Sequence, residues 1–521
     1  MRTDPLGDAL AALKLDYPGP GGAVAVVRDG QVLTRQCWGY ADIVRRTKIT
    51  SRTLFRVCSI TKQFVCASAL ATLDDLSLLD PHIRAAMPRL GVRTPRAIHL
   101  AHNQSGLRDY WATAMLCGAT AESPFDAAAS RWLIGRTASL QFEPGTRFSY
   151  CNQNFRLLGE ALERQIGLGL DDLLRDSVFE RVGMVTARLV ADTAVMPDST
   201  QGYEGSLESG FRPAVNRIHW TGDAGVVCCL DDMIAWERAI DASRDDPDGL
   251  YQRLSGPVNF HNGAASGYGF GLARFSVAGR PATGHGGALR GWRCFRLYVP
   301  SDRLSVVVLF NHDSDACKAA RAIAEAVLEP ETRPGAPFGA LPDKAWSGNF
   351  FEADCRLQVR LEAGPNRTLR FYYGDVAEIL TLDPEGVARG PYSSLSRLPT
   401  GFFLSRPGDN MGNRLRPIPP PSGQLYPPEG NFFCPELEAN FTCGQIGGVL
   451  YGAFSGKLGA GEMQYLPQLG DDHWYYPMPR ALDCAPPGEW MVHAHRDGAG
   501  GVAAVEIACW LARRLVFVRQ D

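Results

Sequence analysis

A change in hydrophobic periodicity near residue 330 is the strongest constraint on how this chain of 521 residues can fold. Up to about Glu329, helical and strand patterns are mixed. Beyond that point the period is two, as where Leu357, Val359 and Leu361 alternate with polar residues, which is typical of half-buried strands. The two parts are separated by a proline cluster: Pro330, Pro334, Pro337 and Pro342. The chain therefore combines an α/β block with a block built from strands.

The first block, residues 1–330, shows strand patterns at both of its ends. The predicted strands occupy residues 22–27, 31–39, 292–299 and 304–310. The first two form a hairpin, because Asp29-Gly30 between them is a strong two-residue turn signal. An alanine-rich helix is predicted over 316–328. Strands at both ends of one block predict that these ends meet in a single sheet with helices packed on it.

The second block divides again at a proline-rich stretch formed by residues 417–421 with Pro427 and Pro428. The division gives two modules, 331–417 and 418–521, in which short strands are separated by glycine turns. Modules of roughly 75 to 100 residues are too short for sandwiches of many strands but suit small barrels. The expected fold class is a multi-domain chain, with an α/β domain followed by two small antiparallel β-barrel domains.

Composition excludes several classes of partner. The net charge of −3, from 53 basic and 56 acidic residues, provides no electrostatic footprint for nucleic acid or for a membrane surface. No apolar run approaches the ~20 residues of a membrane-spanning helix, and no secretory signal is visible at the N-terminus. The fourteen cysteines are scattered and include no C-x-x-C pair. This pattern indicates reduced thiols and predicts a cytoplasmic protein.

The sharpest chemical signal is the segment Ser59-Ile60-Thr61-Lys62, which opens a predicted helix over 59–73. Positions i and i+3 share a helical face, so the Lys62 amine can reach the Ser59 hydroxyl. A lysine that is removed from water can lose its proton near neutral pH and act as the base for a serine nucleophile. The alternative is an N-cap serine followed by a solvated lysine, which this segment alone does not exclude.

Further segments follow in an order that resembles a known enzyme superfamily. Tyr150-Cys151-Asn152 comes about ninety residues after the serine, and His285-Gly286-Gly287 lies immediately before a strand. Together with Ser59–Lys62 they resemble the S-x-x-K, Y-x-N and K/H-x-G motifs of the penicillin-recognising serine hydrolases. Segments 102–107 and 222–225 are similar to landmarks of the class C β-lactamase-like branch of that superfamily.

This resemblance covers roughly residues 10–330 and implies a role for each matching residue. Ser59 is the expected acyl-accepting nucleophile, and Lys62 is its base or proton relay. Tyr150 is expected to pass a proton to the leaving amine, and Asn152 to orient Lys62 and the substrate amide. A core tyrosine with a satisfied hydroxyl is the alternative interpretation of Tyr150.

The resemblance also implies that the later strand supplies the other half of the site. The backbone N–H groups of Ser59 and Ala288 are expected to form an oxyanion hole, and Gly287 to contact the substrate. His285 stands where many of these enzymes have a lysine that pairs with a substrate carboxylate. A mostly neutral imidazole weakens that attraction, so His285 fits an amide, an ester or a longer peptide, or a role in polarising Tyr150. A histidine that merely fills the strand start is the alternative.

The order of the domains is similar to one family in particular, the bacterial D-aminopeptidases, in which two antiparallel barrels follow the catalytic domain. In that family a loop of the last barrel closes the amino-end side of the active site. The matching loop is 478–489, which makes Asp483 the candidate partner of a free substrate α-ammonium. A turn aspartate on a surface loop is the alternative.

The resemblance implies a serine hydrolase that releases small N-terminal D-residues, such as D-alanine, from peptides, amides and esters. A homodimer, and β-lactams as candidate inhibitors, are implied by the family alone. No cofactor and no metal is expected, because the histidine pairs 99/102 and 493/495 lack further ligands at a zinc-site spacing. Two alternatives remain: an esterase or D-stereospecific carboxypeptidase of the same superfamily, and a non-catalytic binder of peptides or β-lactams.

Overall fold

The two-part organisation predicted from the periodicity is present in the structure, a computed structural model. It describes residues 4–328, 341–374, 377–423, 425–478, 482 and 488–520. Helices and strands alternate in the first of these ranges, whereas the ranges from residue 341 onward contain strands and two short 3₁₀ turns. The proline cluster thus lies where the architecture changes.

An eight-stranded antiparallel sheet, here called the central sheet, forms the middle of the α/β domain. In spatial order its strands are Thr47–Lys48, Gln31–Asp42, Gly21–Arg28, Leu304–Phe310, Trp292–Val299, Arg280–Leu289, Leu272–Val277 and Tyr268–Gly269. Asp29 and Gly30 join the predicted hairpin with φ of 54° and 71°, as a type I′ turn requires. The strands Gly21–Arg28 and Leu304–Phe310 pair with each other. The two ends of the domain therefore meet in one sheet, as predicted.

Helices cover both faces of the central sheet. The α-helices of the described residues are Pro5–Asp16, Thr61–Thr72, Asp80–Ala86, Ala97–Ala101, Tyr110–Leu116, Ala127–Arg136, Asn152–Ile166, Leu170–Leu174, Glu180–Val182, Leu230–Ala242, Leu250–Ser255 and Ala316–Val327. None of these helices is long and apolar enough to cross a membrane.

Alternating side chains of the strand Gly21–Arg28 enter two separate cores. Val24 and Val26 belong to a core that also contains Ile323 of the alanine-rich helix. Ala23 and Ala25 belong to a larger core on the opposite face. Because successive side chains of a strand point to opposite faces, helices on both sides bury this strand completely.

The eight strands of the first β module close into an antiparallel barrel, here called the first barrel. They are Gly348–Glu352, Leu357–Ala363, Thr368–Tyr372, Glu378–Leu382, Val387–Arg389, Ser394–Arg397, Phe402–Arg406 and Met411–Pro417. Leu357, Val359 and Leu361 all lie in its core, which confirms the period of two. Closure pairs the first strand with the last and leaves neither edge unpaired.

The second β module is a ten-stranded antiparallel sheet, here called the C-terminal sheet. Its strands in spatial order are Gly459–Ala460, Val449–Gly456, Ala439–Ile446, Gly430–Cys434, Ala512–Arg519, Val502–Cys509, Trp490–Arg496, His473–Tyr476 and Gln468–Gly470, with Gln464–Tyr465 paired beside Val449–Gly456. Within the residues that the structure describes, no pairing joins the two ends of this series. The module expected to be a second small barrel is therefore seen as an open series of antiparallel strands.

The C-terminal sheet packs directly on the α/β domain and shares its larger hydrophobic core. Directly after the helix Tyr110–Leu116, the Cys117 carbonyl accepts a hydrogen bond of 3.0 Å from the Leu458 N–H. Gly118 follows with φ of 87°, and a Cβ atom there would lie only 2.0 Å from the Gly459 carbonyl oxygen. The two backbones thus approach too closely for any side chain at position 118.

Replacing Gly118 by alanine tests this docking contact. Gly167 is a matched control, because its φ of 82° imposes a similar backbone strain on alanine while no atom lies within 4 Å of the added Cβ. We expect Gly118→Ala to lower the free energy of unfolding by about 1–3 kcal/mol more than Gly167→Ala does, since it also overpacks the interface. Denaturant titration of both variants measures the difference, and equal losses would contradict the close approach.

Candidate active site

Ser59 lies in a short 3₁₀ turn, Cys58–Ile60, that leads directly into the helix Thr61–Thr72. The turn follows the strand Phe55–Arg56, which belongs to a small sheet with Val226–Cys228 and Arg188–Leu189. A second small sheet, Tyr203–Ser206 with Gly210–Pro213, lies elsewhere in the domain. Cys58 and Ile60 are fully buried, whereas Ser59 is half-buried. The turn therefore anchors its flanking side chains in the core and presents the serine at the start of a helix.

The Lys62 side chain is buried and its amine contacts oxygen atoms from three directions. Lys62 Nζ lies 2.9 Å from Ser59 Oγ, 2.9 Å from Asn152 Oδ1 and 2.7 Å from the Asp223 carbonyl oxygen. An amide oxygen and a carbonyl oxygen can only accept hydrogen bonds, so they take two N–H groups. The serine hydroxyl can either donate or accept. A neutral Lys62 can therefore receive the proton of Ser59.

The Asn152 side chain is held on its other side by Asp109, a residue that the motif comparison did not single out. Asp109 Oδ2 accepts hydrogen bonds from the Asn152 backbone N–H at 2.6 Å and from its side-chain Nδ2 at 2.9 Å. Asn152 is also the first residue of the helix Asn152–Ile166. Both ends of the Asn152 amide are thus occupied, one by a carboxylate and the other by Lys62.

Asp223 gives a physical role to the segment 222–225, which the sequence marks only as a family landmark. Its carbonyl oxygen accepts from Lys62, and its carboxylate accepts from the Tyr110 hydroxyl at 2.5 Å and from the Thr221 N–H at 3.0 Å. Burial and the neighbouring Asp223 carboxylate raise the pKa of Tyr110 well above its usual value. Tyr110 therefore stays a protonated donor that fixes the loop beside Lys62.

Tyr150 lies beside Lys62 at the mouth of the cleft. The centre of its half-buried ring is 5.1 Å from Lys62 Nζ and 6.1 Å from the centre of the His285 ring. The Tyr268 ring packs perpendicular to it, with ring centres 6.4 Å apart. The structure thus brings Ser59, Lys62, Tyr150 and His285 into one cleft.

Both ring nitrogens of His285 have partners within the protein. Nδ1 lies 2.5 Å from the Gly286 carbonyl oxygen, and Nε2 lies 2.9 Å from the Tyr268 hydroxyl. Because a carbonyl only accepts, Nδ1 carries the proton and Nε2 accepts from the tyrosine. Burial is the largest cause that lowers the pKa of His285 to about 3, and Lys62 lowers it further whenever its amine carries a proton. His285 is therefore neutral, and its ring nitrogens point to these partners and not to Tyr150.

The strand Arg280–Leu289 passes directly against the turn that carries the serine. A Cβ atom on Gly287 would lie 2.1 Å from the Val57 carbonyl oxygen and 3.1 Å from Cys58 Cβ, so only glycine allows this approach. Gly287 is buried, whereas Ala288 is half-exposed next to it. The oxyanion hole of Ser59 and Ala288 N–H groups stays a prediction, and this close packing is the arrangement it requires.

Asp483, predicted to bind the substrate amine, lies outside the described residues, but its neighbour Leu482 is described. Leu482 is fully buried, and its carbonyl oxygen accepts a hydrogen bond of 2.9 Å from Arg290 Nη2. Arg290 is also buried and pairs with Glu122 at 2.7 Å. Arg290 comes two residues after Ala288, so this contact attaches Leu482 to the end of the strand Arg280–Leu289.

Several supporting residues escaped the sequence analysis, namely Asp109, Asp223 as an individual residue, Tyr268 and Arg290. Each acts on a partner far away in the chain, such as Tyr268 on a histidine seventeen residues later or Arg290 on Leu482. Asp109 comes two residues after the segment 102–107 that resembles a family landmark, which was the one available signal. The pairing itself is not encoded in any local spacing.

Family models and relatives match this chain over almost its whole length. A model described as Beta-lactamase matches residues 8–328, and one described as D-aminopeptidase, domain B, matches residues 340–518. The D-aminopeptidase of Gluconobacter oxydans (strain 621H) is 48% identical over 531 residues, 98% of each chain. The D-aminopeptidase of Brucella ovis (strain ATCC 25840 / 63/290 / NCTC 10512) is 40% identical over 508 residues, 98% of this chain and 97% of its own.

A solved structure supports the fold of the catalytic part. The D-amino acid amidase from Ochrobactrum anthropi SV3, complexed with D-phenylalanine, is 18% identical and superposes with a TM-score of 0.51, covering 62% of this chain and 98% of the amidase chain. The predicted penicillin-binding-protein/β-lactamase-like domain is confirmed, as is the antiparallel β architecture after it. Of the two small barrels predicted there, the first is closed and the second is an open sheet in the described residues. Since family models match both parts and D-aminopeptidases match almost the whole length, the chain belongs to the D-aminopeptidase family of β-lactamase-like serine hydrolases.

Proposed function

We propose that this protein is a serine D-aminopeptidase that removes N-terminal D-residues through an acyl-enzyme on Ser59. The observation that carries the proposal is the contact of 2.9 Å between the buried Lys62 amine and the Ser59 hydroxyl. The D-aminopeptidase relatives, at 40% and 48% identity over almost the whole chain, supply the preference for the D hand. No single side chain of the cleft identifies that hand by itself.

Acylation begins when Ser59 Oγ attacks the carbonyl carbon of the scissile amide while its proton passes to neutral Lys62. The N–H groups of Ser59 and Ala288 stabilise the oxyanion of the tetrahedral intermediate. Tyr150, beside Lys62, carries the proton onward to the leaving nitrogen. The carbon–nitrogen bond then breaks, the shortened peptide or amine departs, and an ester of the D-residue remains on Ser59.

Deacylation uses the same groups in reverse order. A water molecule attacks the ester carbonyl and gives its proton to the Lys62–Tyr150 pair. The ester bond breaks, Ser59 Oγ recovers a proton from Lys62, and the free D-amino acid leaves. Because Asp109 holds Asn152 and Tyr110 holds Asp223, the two fixed acceptors keep the amine within reach of Ser59 in both half-reactions.

We propose that Asp483 binds the free α-ammonium of the substrate. The support is indirect but specific: the carbonyl of the preceding residue, Leu482, is attached to Arg290 at the end of the catalytic strand. A carboxylate in a partly desolvated pocket selects a free amine and excludes an acylated one. The family resemblance also implies that the loop 478–489 restricts space at this end of the site, which would favour small side chains such as those of alanine, glycine or serine.

His285 sets the charge at the opposite, carboxyl-side end of the cleft. A neutral imidazole with both nitrogens engaged offers no positive charge to a terminal carboxylate. This favours substrates that continue as an amide, an ester or a longer peptide, and it disfavours the carboxypeptidase alternative. His285 then shapes the cleft wall rather than transferring protons.

A cytoplasmic location and a homodimer complete the proposal. The thirteen cysteines of the described residues are all free thiols, as a reducing compartment maintains them. The homodimer and binding of β-lactams are carried over from the family. In that family a loop closes the amino-end side, so a β-lactam with a bulky acylated side chain is expected to be hydrolysed poorly.

The reaction and its nucleophile are tested by release of p-nitroaniline from paired D- and L-alanine p-nitroanilides. We expect turnover of the D substrate only, and its complete loss in Ser59→Ala, because the Ser59 hydroxyl that contacts Lys62 Nζ at 2.9 Å is the proposed nucleophile. Ser68→Ala is the matched control, since Ser68 is buried in the same helix and contacts Ser177 instead. Unchanged activity in Ser59→Ala would remove the nucleophile assignment.

The role of Asp483 is tested by comparing D-alanine p-nitroanilide with its N-acetyl derivative. We expect the wild type to reject the acetylated substrate. Asp483→Asn should lower kcat/KM for the free-amine substrate by at least about 30-fold, as for loss of one partner of a desolvated charge pair. Glu462→Gln removes an exposed carboxylate of the C-terminal module. It should change neither kcat/KM for the free-amine substrate nor the rejection of the acetylated one. Equal cleavage of both substrates by the wild type would refute this role.

The neutral state of His285 predicts a specific pH dependence of stability. Its pKa is about 3 in the folded protein against an ordinary 6.5, so between these values the unfolded chain binds a proton that the folded chain does not. The free energy of unfolding therefore falls as the pH falls through this window. Glutamine does not titrate in this range. Between pH 6.5 and 4.5 the free energy of unfolding of His285→Gln should therefore fall by on the order of 2 kcal/mol less than that of the wild type. Parallel curves from denaturant titrations would contradict the assignment.

A further inference from the structure

We infer that Asp109 is a positioning residue of the active site, which fixes the Asn152 amide so that its oxygen faces Lys62. The C-terminal sheet in turn fixes Asp109. The inference rests on the proposed roles of Ser59 and Lys62 and adds a function for the last module that does not involve the Asp483 loop.

The first step is the orientation of the Asn152 amide. A carboxylate only accepts hydrogen bonds, and Asp109 Oδ2 lies 2.9 Å from one end of that amide and 2.6 Å from the Asn152 backbone nitrogen. The NH₂ end must therefore face Asp109, which leaves Oδ1 to accept from Lys62 at 2.9 Å. The opposite orientation would set two oxygens against each other and an NH₂ group against the amine.

The second step is the way in which Asp109 itself is held. Its Oδ1 accepts from the Trp111 N–H at 2.8 Å and thereby caps the helix Tyr110–Leu116. Its backbone N–H donates to the Leu511 carbonyl oxygen at 2.9 Å, in the turn between the last two strands of the C-terminal sheet. Asp109 is completely buried, so no water competes for these bonds.

The neighbouring Arg108 strengthens the same attachment. Its Nε donates to the Arg513 carbonyl oxygen at 2.6 Å, and its Nη1 lies 3.6 Å from the Glu436 carboxylate. Arg513 and Glu436 both belong to the C-terminal module, and Arg108 is largely buried. The backbone at 108–109 is thus attached to the C-terminal sheet on consecutive residues.

The third step is that the start of the helix Tyr110–Leu116 holds both acceptors of the Lys62 amine. Asp109 holds Asn152, and the next residue, Tyr110, holds the Asp223 carboxylate. Asn152 Oδ1 and the Asp223 carbonyl are the two groups that must accept from Lys62. The position of Lys62 therefore depends on a helix start that the C-terminal sheet keeps in place.

Asp109→Asn is the most informative variant. Asparagine keeps a cap acceptor for the helix but replaces the second carboxylate oxygen by a donor, which then faces the two donors of Asn152. We expect kcat for D-alanine p-nitroanilide to fall roughly 100-fold, the effect of a small misplacement of a catalytic group, with KM within about threefold and little change in the unfolding midpoint. Asp126→Asn, the matched change at the cap of Ala127–Arg136, should leave kcat unchanged.

A double-mutant cycle separates positioning from general structural damage. In an Asn152→Ala background, Asp109→Asn should lower kcat by less than about threefold, because the group it positions is already absent. A full 100-fold loss in that background, or no loss in the wild-type background, would overturn the inference. If Asp109→Asn does not fold, Asp109→Ser, which keeps a cap acceptor but does not reach Asn152, takes its place in the same cycle.

The attachment to the C-terminal sheet is tested with a pair of arginines. Arg108→Gln removes the bond to the Arg513 carbonyl beside Asp109. Arg136→Gln removes contacts of 3.2 and 2.9 Å to the Glu436 and Pro435 carbonyls of the same module and leaves the Arg108–Arg513 bond in place. We expect Arg108→Gln alone to lower kcat, and both variants to lower stability. Equal kcat values in the two variants would show that the sheet does not act through Asp109.

These outcomes are distinct from failure of the proposed function. If the wild type released no D-alanine, or if Ser59→Ala remained active, the proposed function would fail. If the wild type is active, depends on Ser59 and is unaffected by Asp109→Asn, only the positioning role is refuted.

Discussion

One buried amine and the oxygen atoms around it form the interaction on which the active site depends. Lys62 Nζ meets the Ser59 hydroxyl and two obligate acceptors, Asn152 Oδ1 and the Asp223 carbonyl. Desolvation disfavours a charged amine. The two fixed acceptors take the two N–H groups of the neutral amine, so its lone pair faces the serine hydroxyl. Each surrounding element, from the strained turn at Cys58 to the capped helix after Asp109, serves to keep these atoms within hydrogen-bond distance.

The three modules contribute unequally to this arrangement. The first barrel pairs its own edges, and its core is formed mainly by its own strands together with Ala508 of the C-terminal sheet. The C-terminal sheet, by contrast, shares a core with the α/β domain and attaches to it near Gly118, at Asp109 and at Leu482. Two of these attachments lie next to catalytic groups. The last module therefore supports the segments that carry the candidate active-site residues.

Much of the site was predictable because its candidate reacting residues lie in short sequence motifs. The spacing of Ser59 and Lys62 puts both on one face of a helix, and the order of the Tyr150 and His285 segments identified the superfamily. The hydrogen-bond partners of His285 were not predictable. The Tyr268 hydroxyl contacts this imidazole only because the fold brings the two together. Burial then lowers the pKa of His285 well below that of an isolated histidine, so the ring is neutral.

The sequence alone determined the change from mixed to strand-only architecture, the strands whose pairing joins the two ends of the α/β domain and the candidate reacting groups. Periodicity and turn chemistry act between near neighbours, and the proposed nucleophile and its proposed base lie one helical turn apart. Only the tertiary structure decided which distant residues hold those groups, as Asp109 does for Asn152 and Arg290 for Leu482. Such pairings join segments tens to hundreds of residues apart, and they arise because buried polar groups must find partners wherever packing places them.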